Sequence, residues 1–332
     1  MTLVIPGRNA AGTLRPCLEA AAALVERGEL AEIIFVDDGS TDETVKIAAE
    51  YSVRCVEGPA RGPGAARNVG WRLAKTPLIW FIDSDCVTED NTLAMLVSHF
   101  QDPMVVGVGG SYSNLTPHSL IASLIHEEMC LRHRKMSRVV NFLGSYNVAY
   151  RRCVLEQVGG FDEEYFNAAG SPGAEDAELS FQLSKLNHRL HFEPRSCVGH
   201  YHPTSLRRYL RAQHHHGYWR VFLYRRHPDV ATGDSYSRFA DHIQPPTAMA
   251  ILATLPLLVW PPLGRVSAAL AFWLLLAQTP TTIRLMLSTR QMRYLLFSLF
   301  GFVRAFARGL GMTAAVVAIL LGKRRRTGSD CF

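Results

Sequence analysis

Two aspartates one residue apart, Asp83 and Asp85, directly follow the apolar run Leu78–Ile82. In an extended strand, residues i and i+2 face the same side, so the end of this strand would present both carboxylates together. Converging carboxylates repel each other unless a cation lies nearby, and hard oxygen ligands suit Mg²⁺ or Mn²⁺. The pattern predicts a divalent-cation site, although a strand that ends in an ordinary Asp-rich turn would give the same residues.

A glycine-rich, basic loop lies upstream of these aspartates, at residues 58–68, and leads into a predicted helix. Its backbone amides and its two arginines, Arg61 and Arg67, could bind a phosphate. The loop alone is a weak signal, since many such loops bind no anion. Its value depends on whether the fold brings it close to the aspartates.

The elements that must position these residues alternate between strands and helices. Continuous apolar strands separated by helices are typical of an α/β fold with a mainly parallel sheet that is covered on both faces. Ligands of such sheets bind at the carboxyl ends of the strands. The predicted strands cover residues 2–5, 32–36, 52–57 and 78–82, with helices over 9–27 and 42–51. The strand ends carry Pro6-Gly7, Asp37-Asp38, the glycine-rich loop and Asp83-Ser84-Asp85.

Charge and hydropathy change sharply near residue 200. Residues 200–332 hold 17 of the 35 Lys and Arg residues but only 4 of the 29 Asp and Glu residues. Basic flanks around apolar blocks predict a membrane region and argue against nucleic-acid binding. The apolar blocks cover residues 247–260, 266–282 and 294–321. The third block contains Arg304 and Arg308, which leaves open a single crossing, a re-entrant hairpin, or an interfacial half followed by a crossing. Arginines at membrane depth suggest contact with a lipid-linked phosphate.

Seven scattered cysteines without a CxxC pair indicate free thiols in a reducing compartment. The start of the chain lacks the features of a signal peptide. Arg284, Arg290 and Arg293 favour a cytoplasmic loop between the second and third apolar blocks. We therefore expect a multi-pass protein of the inner cell membrane with a cytoplasmic catalytic domain.

Three segments resemble, in the same order, motifs of glycosyltransferase family 2: residues 36–42, Gly64-Ala65-Ala66-Arg67-Asn68 and Asp83-Ser84-Asp85. The resemblance covers roughly residues 1–200 and implies a GT-A fold. It also implies that the Pro6 turn and Asp37 hold the base and ribose of a nucleotide sugar, and that Asp83 and Asp85 hold Mg²⁺ or Mn²⁺ on its diphosphate. The candidate cofactor-binding residues are Pro6, Gly7, Asn9, Asp37, Asp38, Gly64, Arg67, Asn68 and Asp83.

An inverting sugar transfer needs a carboxylate that takes the proton from the acceptor hydroxyl. Glu175-Asp176 matches the Glu-Asp pair of this family, which implies that Asp176 is the base and that Glu175 supports it or binds the acceptor. Gln182 occupies a position where arginine is common in relatives, which puts any contact of that arginine in doubt. The segment around Asn147 resembles the family segment that closes on the donor sugar.

A basic, aromatic helix is predicted beyond residue 200. The candidates for binding a diphosphate are His200, His202 and Gln213. The pattern Gln213…Trp219-Arg220 is similar to a helix of the succinoglycan-type glucosyltransferases. The arginines of this helix would reach lipid phosphates, and Trp219, Phe222 and Tyr224 would lie at the membrane interface.

These features predict a GT-A catalytic domain (1–199), an interface region (200–245), membrane helices (246–323) and a basic tail (324–332). The expected donor is a nucleotide sugar, with UDP-sugars placed ahead of GDP-sugars. The expected acceptor is a polyprenyl-diphosphate-linked saccharide in exopolysaccharide or cell-envelope synthesis, and membrane lipid is the other partner. The alternatives are direct transfer to polyprenyl phosphate and an inactive membrane scaffold on a transferase fold.

Overall fold

The computed structural model describes residues 1–168, 171–237, 239–255 and 261–322. The chain divides into two compact units. The first consists of residues 1–117 and 133–202, and the second of residues 118–132 together with the chain from residue 203 onward. Residues 118–132, which lie inside the predicted domain 1–199, therefore group with the helical part of the chain.

A nine-stranded mixed sheet forms the centre of the first unit. Its first strand is buried at every residue, as expected for a strand with helices on both faces. A separate two-stranded hairpin pairs Asn167–Ala168 with Ser171–Pro172. The strands of the main sheet are β1 (Thr2–Gly7), β2 (Glu32–Asp37), β3 (Arg54–Glu57), β4 (Leu78–Ile82), β5 (Cys86–Thr88), β6 (Val105–Asn114), β7 (Val139–Val140), β8 (Asn147–Arg151) and, after the hairpin strands β9 and β10, β11 (Arg189–His200).

The strand order in space is β3-β2-β1-β4-β8-β6-β11-β5, with β7 paired to β11. β1 is parallel to both β2 and β4, and β2 is parallel to β3. β8 runs antiparallel to its neighbours β4 and β6, whereas β6 and β11 are parallel. The carboxyl ends of the first four strands consequently lie on one edge of the sheet, as predicted.

Helices cover this sheet and bury one continuous apolar core. Gly70 allows one of them to pack closely on β1, because an added Cβ would lie 2.2 Å from Cγ1 of Val4. The helix predicted over residues 42–51 is shorter, since Asp42 accepts hydrogen bonds from both the amide and the hydroxyl of Thr44. The helices are α1 (Leu14–Glu26), α2 (Thr44–Ala48), α3 (Pro63–Leu73), α4 (Thr92–Ser98), α6 (Arg152–Val158) and α7 (Glu175–Lys185), while α5 (Leu120–His133) lies almost wholly in the second unit.

All the regular secondary structure described in the second unit is helical. Trp219 and Phe222 are buried within it, so the prediction that these two rings face a membrane interface is wrong. The amphipathic pattern arises because their helix packs against other helices of the unit. These are α8 (Leu206–Arg226), α9 (Phe239–Thr254), α10 (Pro261–Leu276), α11 (Thr279–Thr289) and α12 (Phe297–Leu320), with 3₁₀ turns at Pro228–Val230 and Met292–Leu296.

Two helical stretches of the described chain are long and apolar enough to cross a membrane, Gly264–Thr289 and Met292–Leu320. They contain most of the second and third predicted apolar blocks. The first block is described only up to residue 255, and its remaining residues 256–260 lie outside the described part of the chain.

Candidate active site

The site begins at the ends of β1 and β2. Gly7 packs so tightly that an added Cβ would lie 2.6 Å from the ring of Phe35. Asp37 follows in the neighbouring strand, and its Oδ2 accepts a hydrogen bond from the Ser40 amide at 3.1 Å. Its Oδ1 is buried and has no hydrogen-bond partner within the described residues. A buried acceptor of this kind fits a ligand that donates an N–H or O–H group.

The loops around Asp37 are shaped by two other predicted site residues. Asn9 accepts a hydrogen bond from the Thr41 amide at 2.8 Å. Asp38 accepts from the amides of Gly62 and Arg61, at 2.6 and 3.2 Å. These two amides of the glycine-rich loop therefore donate to Asp38, and a phosphate contact through this loop would need its other amides. Pro6 lies within β1, in register with Val36.

Arg67 was predicted to bind phosphate, but its guanidinium joins two carboxylates. It donates to Asp83 at 2.6 Å and to Glu175 at 3.0 Å, and its side chain is 3% exposed. Its guanidinium carbon also lies 5.5 Å from the centroid of the Phe161 ring. Gly64 makes room for this arrangement, since an added Cβ would lie 2.9 Å from Cγ of Glu175.

The Asn68 side chain makes three hydrogen bonds within the protein. Its amide group donates to the Phe161 carbonyl at 2.8 Å and accepts from the Phe161 amide and the Trp71 indole, each at 2.9 Å. Asn147 is likewise fully buried, accepting from the Trp80 indole and donating to the Ser196 carbonyl. Both side chains were predicted to contact the donor, but their hydrogen bonds are made within the protein and have a structural role.

The two motif aspartates do not lie at matching positions of a strand. β4 ends at Ile82, and the Cys86 amide donates to the Asp83 carbonyl at 2.9 Å, so residues 83–86 form a turn. Alternation along a strand therefore does not determine where these carboxylates point. Asp83 pairs with Arg67, whereas Asp85 lies beside His200, with 3.5 Å between Oδ1 and Nε2.

Asp85, Cys86 and His200 each offer one potential ligand atom, and these atoms all lie within 4.8 Å of one another. Burial raises the pKa of the Cys86 thiol well above its usual range, and the neighbouring aspartates add to the effect. A protonated thiol is a poor ligand for a hard cation, whereas a carboxylate and an imidazole suit Mn²⁺. The residues present therefore fit a divalent cation at Asp85 and His200.

His200 is oriented by its own neighbours. Its Nδ1 lies 3.0 Å from Nδ1 of His202, so one imidazole donates to the other, and its ring stacks on Tyr112. His202 is buried. The interaction between the imidazoles leaves Nε2 of His200 as the nitrogen nearest Asp85.

Glu175 and Asp176 occupy the first turn of α7, where acidic residues are favoured by the helix dipole. Burial raises the pKa of Glu175, and the adjacent Asp176 raises it further, while Arg67 opposes both effects. Asp176 is partly exposed, and its Oδ1 accepts from the Ala177 amide at 2.7 Å. Of the two, Asp176 is the more accessible carboxylate.

Gln213, Trp219 and Arg220 belong to the second unit. Gln213 accepts from Arg308, and Arg220 pairs with Asp234 at 3.2 Å. The main features missed from sequence are the bridge from Arg67 to Asp83 and Glu175 and the contact between Asp85 and His200. All five residues were candidate site residues in the sequence, but no local sequence pattern indicates which of them contact each other.

The model of glycosyl transferase family 2 matches residues 2–159. The chain is 30% identical over 240 residues to the pre-mycofactocin glycosyltransferase of Mycobacterium tuberculosis, covering 69% of this chain and 48% of that protein. It is 28% identical over 168 residues to the glycosyltransferase AglE of Haloferax volcanii, covering 48% and 55% of the two chains. The chain thus spans about half the length of these curated relatives.

A solved structure supports the architecture. The mannosyltransferase PcManGT from Pyrobaculum calidifontis, in complex with GDP-Man and Mn²⁺, matches with a TM-score of 0.53 and 20% identity. The match covers 97% of this chain and 87% of that one. Residues 2–159 therefore form a domain of glycosyltransferase family 2, and the first unit has the GT-A fold.

Proposed function

We propose that this protein is an inverting, metal-dependent glycosyltransferase that moves a sugar from a nucleotide sugar to an acceptor at a membrane. The observation that carries the proposal is that the first unit holds Asp37, the contact of Asp85 with His200, and Asp176. Asp37 offers a buried acceptor to the nucleoside, and Asp176 is an accessible carboxylate at a helix start.

Asp85 and His200 would hold the divalent cation. Such a cation neutralises the charge that develops on a diphosphate leaving group. Asp176 would accept the proton of the acceptor hydroxyl as that oxygen attacks the sugar carbon. Arg67 holds the Asp83 turn and Glu175 by ion pairs, which fixes the starts of both functional segments.

Membrane attachment is supported by the surfaces of the two long apolar stretches. Only 22% of the most apolar window in Gly264–Thr289 and 28% of that in Met292–Leu320 is buried, whereas the core helix of a water-soluble protein is mostly buried. Phe272 and Leu287 are 69% and 74% exposed. A lipid environment removes this apolar surface from water, so a polyprenyl-diphosphate-linked saccharide is the acceptor class we propose.

The test uses the purified full chain in detergent, with Mn²⁺, UDP- and GDP-sugars, and lipid acceptors. Mass spectrometry should detect a glycosylated polyprenyl-diphosphate saccharide. Asp176→Asn should lower turnover by about 10²–10⁴-fold while thermal stabilisation by the donor persists. Asp85→Asn should abolish that stabilisation, whereas Asp90→Asn, which changes an exposed aspartate nearby, should change neither property.

Two results would contradict the proposal. A product formed only from bare polyprenyl phosphate would favour direct transfer to the lipid carrier. Full activity of correctly folded Asp85→Asn and Asp176→Asn proteins in polymer synthesis would favour the inactive scaffold.

A further inference from the structure

The helical second unit contains a set of paired charges. Glu128 forms ion pairs with Arg304 and, at 2.8 Å, with Arg132. Arg132 also contacts both oxygens of Asp241, at 2.8 and 2.9 Å. Glu128 and Arg304 are buried, and buried charges are tolerated when they are paired and hydrogen-bonded.

Arg308 lies one helical turn beyond Arg304 and differs from it. Its Nε donates to Oε1 of Gln213 at 2.7 Å, and Gln213 is neutral. In the part of the chain that the structure describes, no carboxylate lies within ion-pair distance of Arg308, and its terminal nitrogens have no hydrogen-bond partner. Arg308 is half-buried, so part of its surface remains accessible. Among the described residues of this cluster, Arg132 and Arg304 therefore pair with Glu128 and Asp241, whereas Arg308 has no carboxylate within ion-pair distance.

Glycines place Arg308 directly against helix α8. An added Cβ at Gly217 would lie 2.1 Å from the Arg308 carbonyl oxygen, and one at Gly311 would lie 1.9 Å from the His214 carbonyl oxygen. Helix α8 carries six arginines and three histidines, too many charged and polar groups for the hydrocarbon of a bilayer. In the proposed membrane arrangement, the middle of α12 would therefore lie at a polar level, where lipid phosphates are found.

We infer that Arg308 and Gln213 form a site for the phosphate group of a lipid-borne substrate. Gln213 occupies Nε and fixes the plane of the guanidinium, which leaves the two terminal nitrogens to donate to phosphate oxygens in a bidentate pair. The anion would also supply the charge that the cluster lacks. This inference rests on the proposed function and identifies the acceptor by its lipid phosphate.

The test titrates the full chain in detergent micelles with farnesyl phosphate, farnesol or inorganic phosphate, and follows thermal stabilisation. Farnesyl phosphate should stabilise the wild-type protein, and the other two compounds should not do so at equal concentration. Arg308→Gln should weaken farnesyl phosphate binding at least about tenfold, the loss expected for one charge-assisted bond. Arg54→Gln removes an exposed arginine of β3 in the first unit and should leave binding unchanged.

Unchanged binding by folded Arg308→Gln would overturn the site, and equal stabilisation by inorganic phosphate would overturn the lipid-borne ligand. If Arg308→Gln does not fold, farnesyl phosphate binding is measured with Arg308→Lys instead. This substitution keeps the positive charge but cannot form the bidentate pair. We expect Arg308→Lys to bind several-fold more weakly, and wild-type affinity would count against the site. Stabilisation by nucleotide sugar and Mn²⁺, measured on the same samples, separates failure of this site from failure of the proposed transferase activity.

Discussion

Arg67 is the residue on which the candidate active site depends most. A single buried guanidinium joins the turn after β4 to the start of α7, and Arg67 and Glu175 are 108 residues apart in the chain. Removing one partner of a buried ion pair leaves an uncompensated charge, which costs far more than losing an exposed pair. The position of Arg67 is therefore set by stability as well as by the site that it supports.

Arg67→Met should destabilise the protein by about 3–5 kcal/mol, because Asp83 and Glu175 would lose their common partner. Arg72→Met, on the exposed side of the same helix, should cost less than about 1 kcal/mol. Denaturant unfolding of both variants measures the difference. Adding Glu175→Gln to Arg67→Met should recover part of the loss, and equal losses for Arg67→Met and Arg72→Met would contradict the assignment.

Glu193 predicts a pH dependence of stability. Hydrogen bonds from Arg195, and a further one with His99, lower its pKa from 4.5 to about 2 even though burial alone would raise it. Because the pKa is lower in the folded state, the stabilisation is present above pH 4.5 and is lost as the pH falls towards 2. The contribution is about 1–2 kcal/mol, since Arg195 is exposed and screened by solvent.

Glu193→Gln should therefore flatten the fall in thermal stability between pH 5 and pH 3, roughly the accessible part of this window. The exposed substitution Glu57→Gln provides the control and should keep the wild-type slope. A wild-type slope in Glu193→Gln would show that this carboxylate does not control acid stability.

At the scale of elements, the parallel strands were the most predictable feature. Strand β4 covers the predicted residues 78–82, and the first four strand ends share one edge of the sheet. Local sequence determines such strands because continuous apolar runs have few other stable arrangements. Helix boundaries were less predictable, since side chains such as Asp42 compete for the amides at helix starts.

The pairing of site residues was not predictable from sequence. His200 lies near Asp85 because β11, which ends at His200, pairs with β5, which follows Asp85. The prediction that Asp83 and Asp85 face the same side rested on the alternation of side chains along a strand, but these two residues form a turn. Such contacts depend on strand order, which leaves no periodic signal in the chain. The charged cluster around Glu128 has the same origin, because α5 groups with helices that lie at least 70 residues further along the sequence.

The close contact of α8 with α12 gives a prediction at the element scale. Gly217→Ala and Gly311→Ala each place a methyl group about 2 Å from a backbone oxygen, so the two helices must separate. We expect a loss of about 1–3 kcal/mol or more for each substitution, measured by thermal unfolding in detergent. Gly12→Ala meets nothing within 4 Å and should cost little. Wild-type stability of both helix variants would contradict this packing.

At the scale of the whole molecule, the proposed membrane attachment rests on the exposed apolar surface of the second unit. Pairing Phe272→Arg with Leu287→Arg should weaken membrane attachment, because a charge at the centre of a spanning helix costs about 2.5–3.5 kcal/mol. Alkaline carbonate extraction of membranes measures the share of protein retained. Met104→Arg with Leu186→Arg changes similarly exposed residues of the first unit and should leave retention unchanged. Equal retention of both double variants would argue against a membrane role for α10 and α11.

The division of the chain has a practical consequence for producing the catalytic domain. The polypeptide passes between the two units at residues 117–118, 132–133 and 202–203, so one terminal truncation cannot separate them. A fragment that stops at residue 202 would retain α5 without the helices that pack against it. Leu124 and Ile125 would become exposed, and Glu128 would lose its ion pair with Arg304. A soluble version of the transferase fold therefore requires replacement of residues 118–132 by a short linker as well as removal of the chain beyond residue 202.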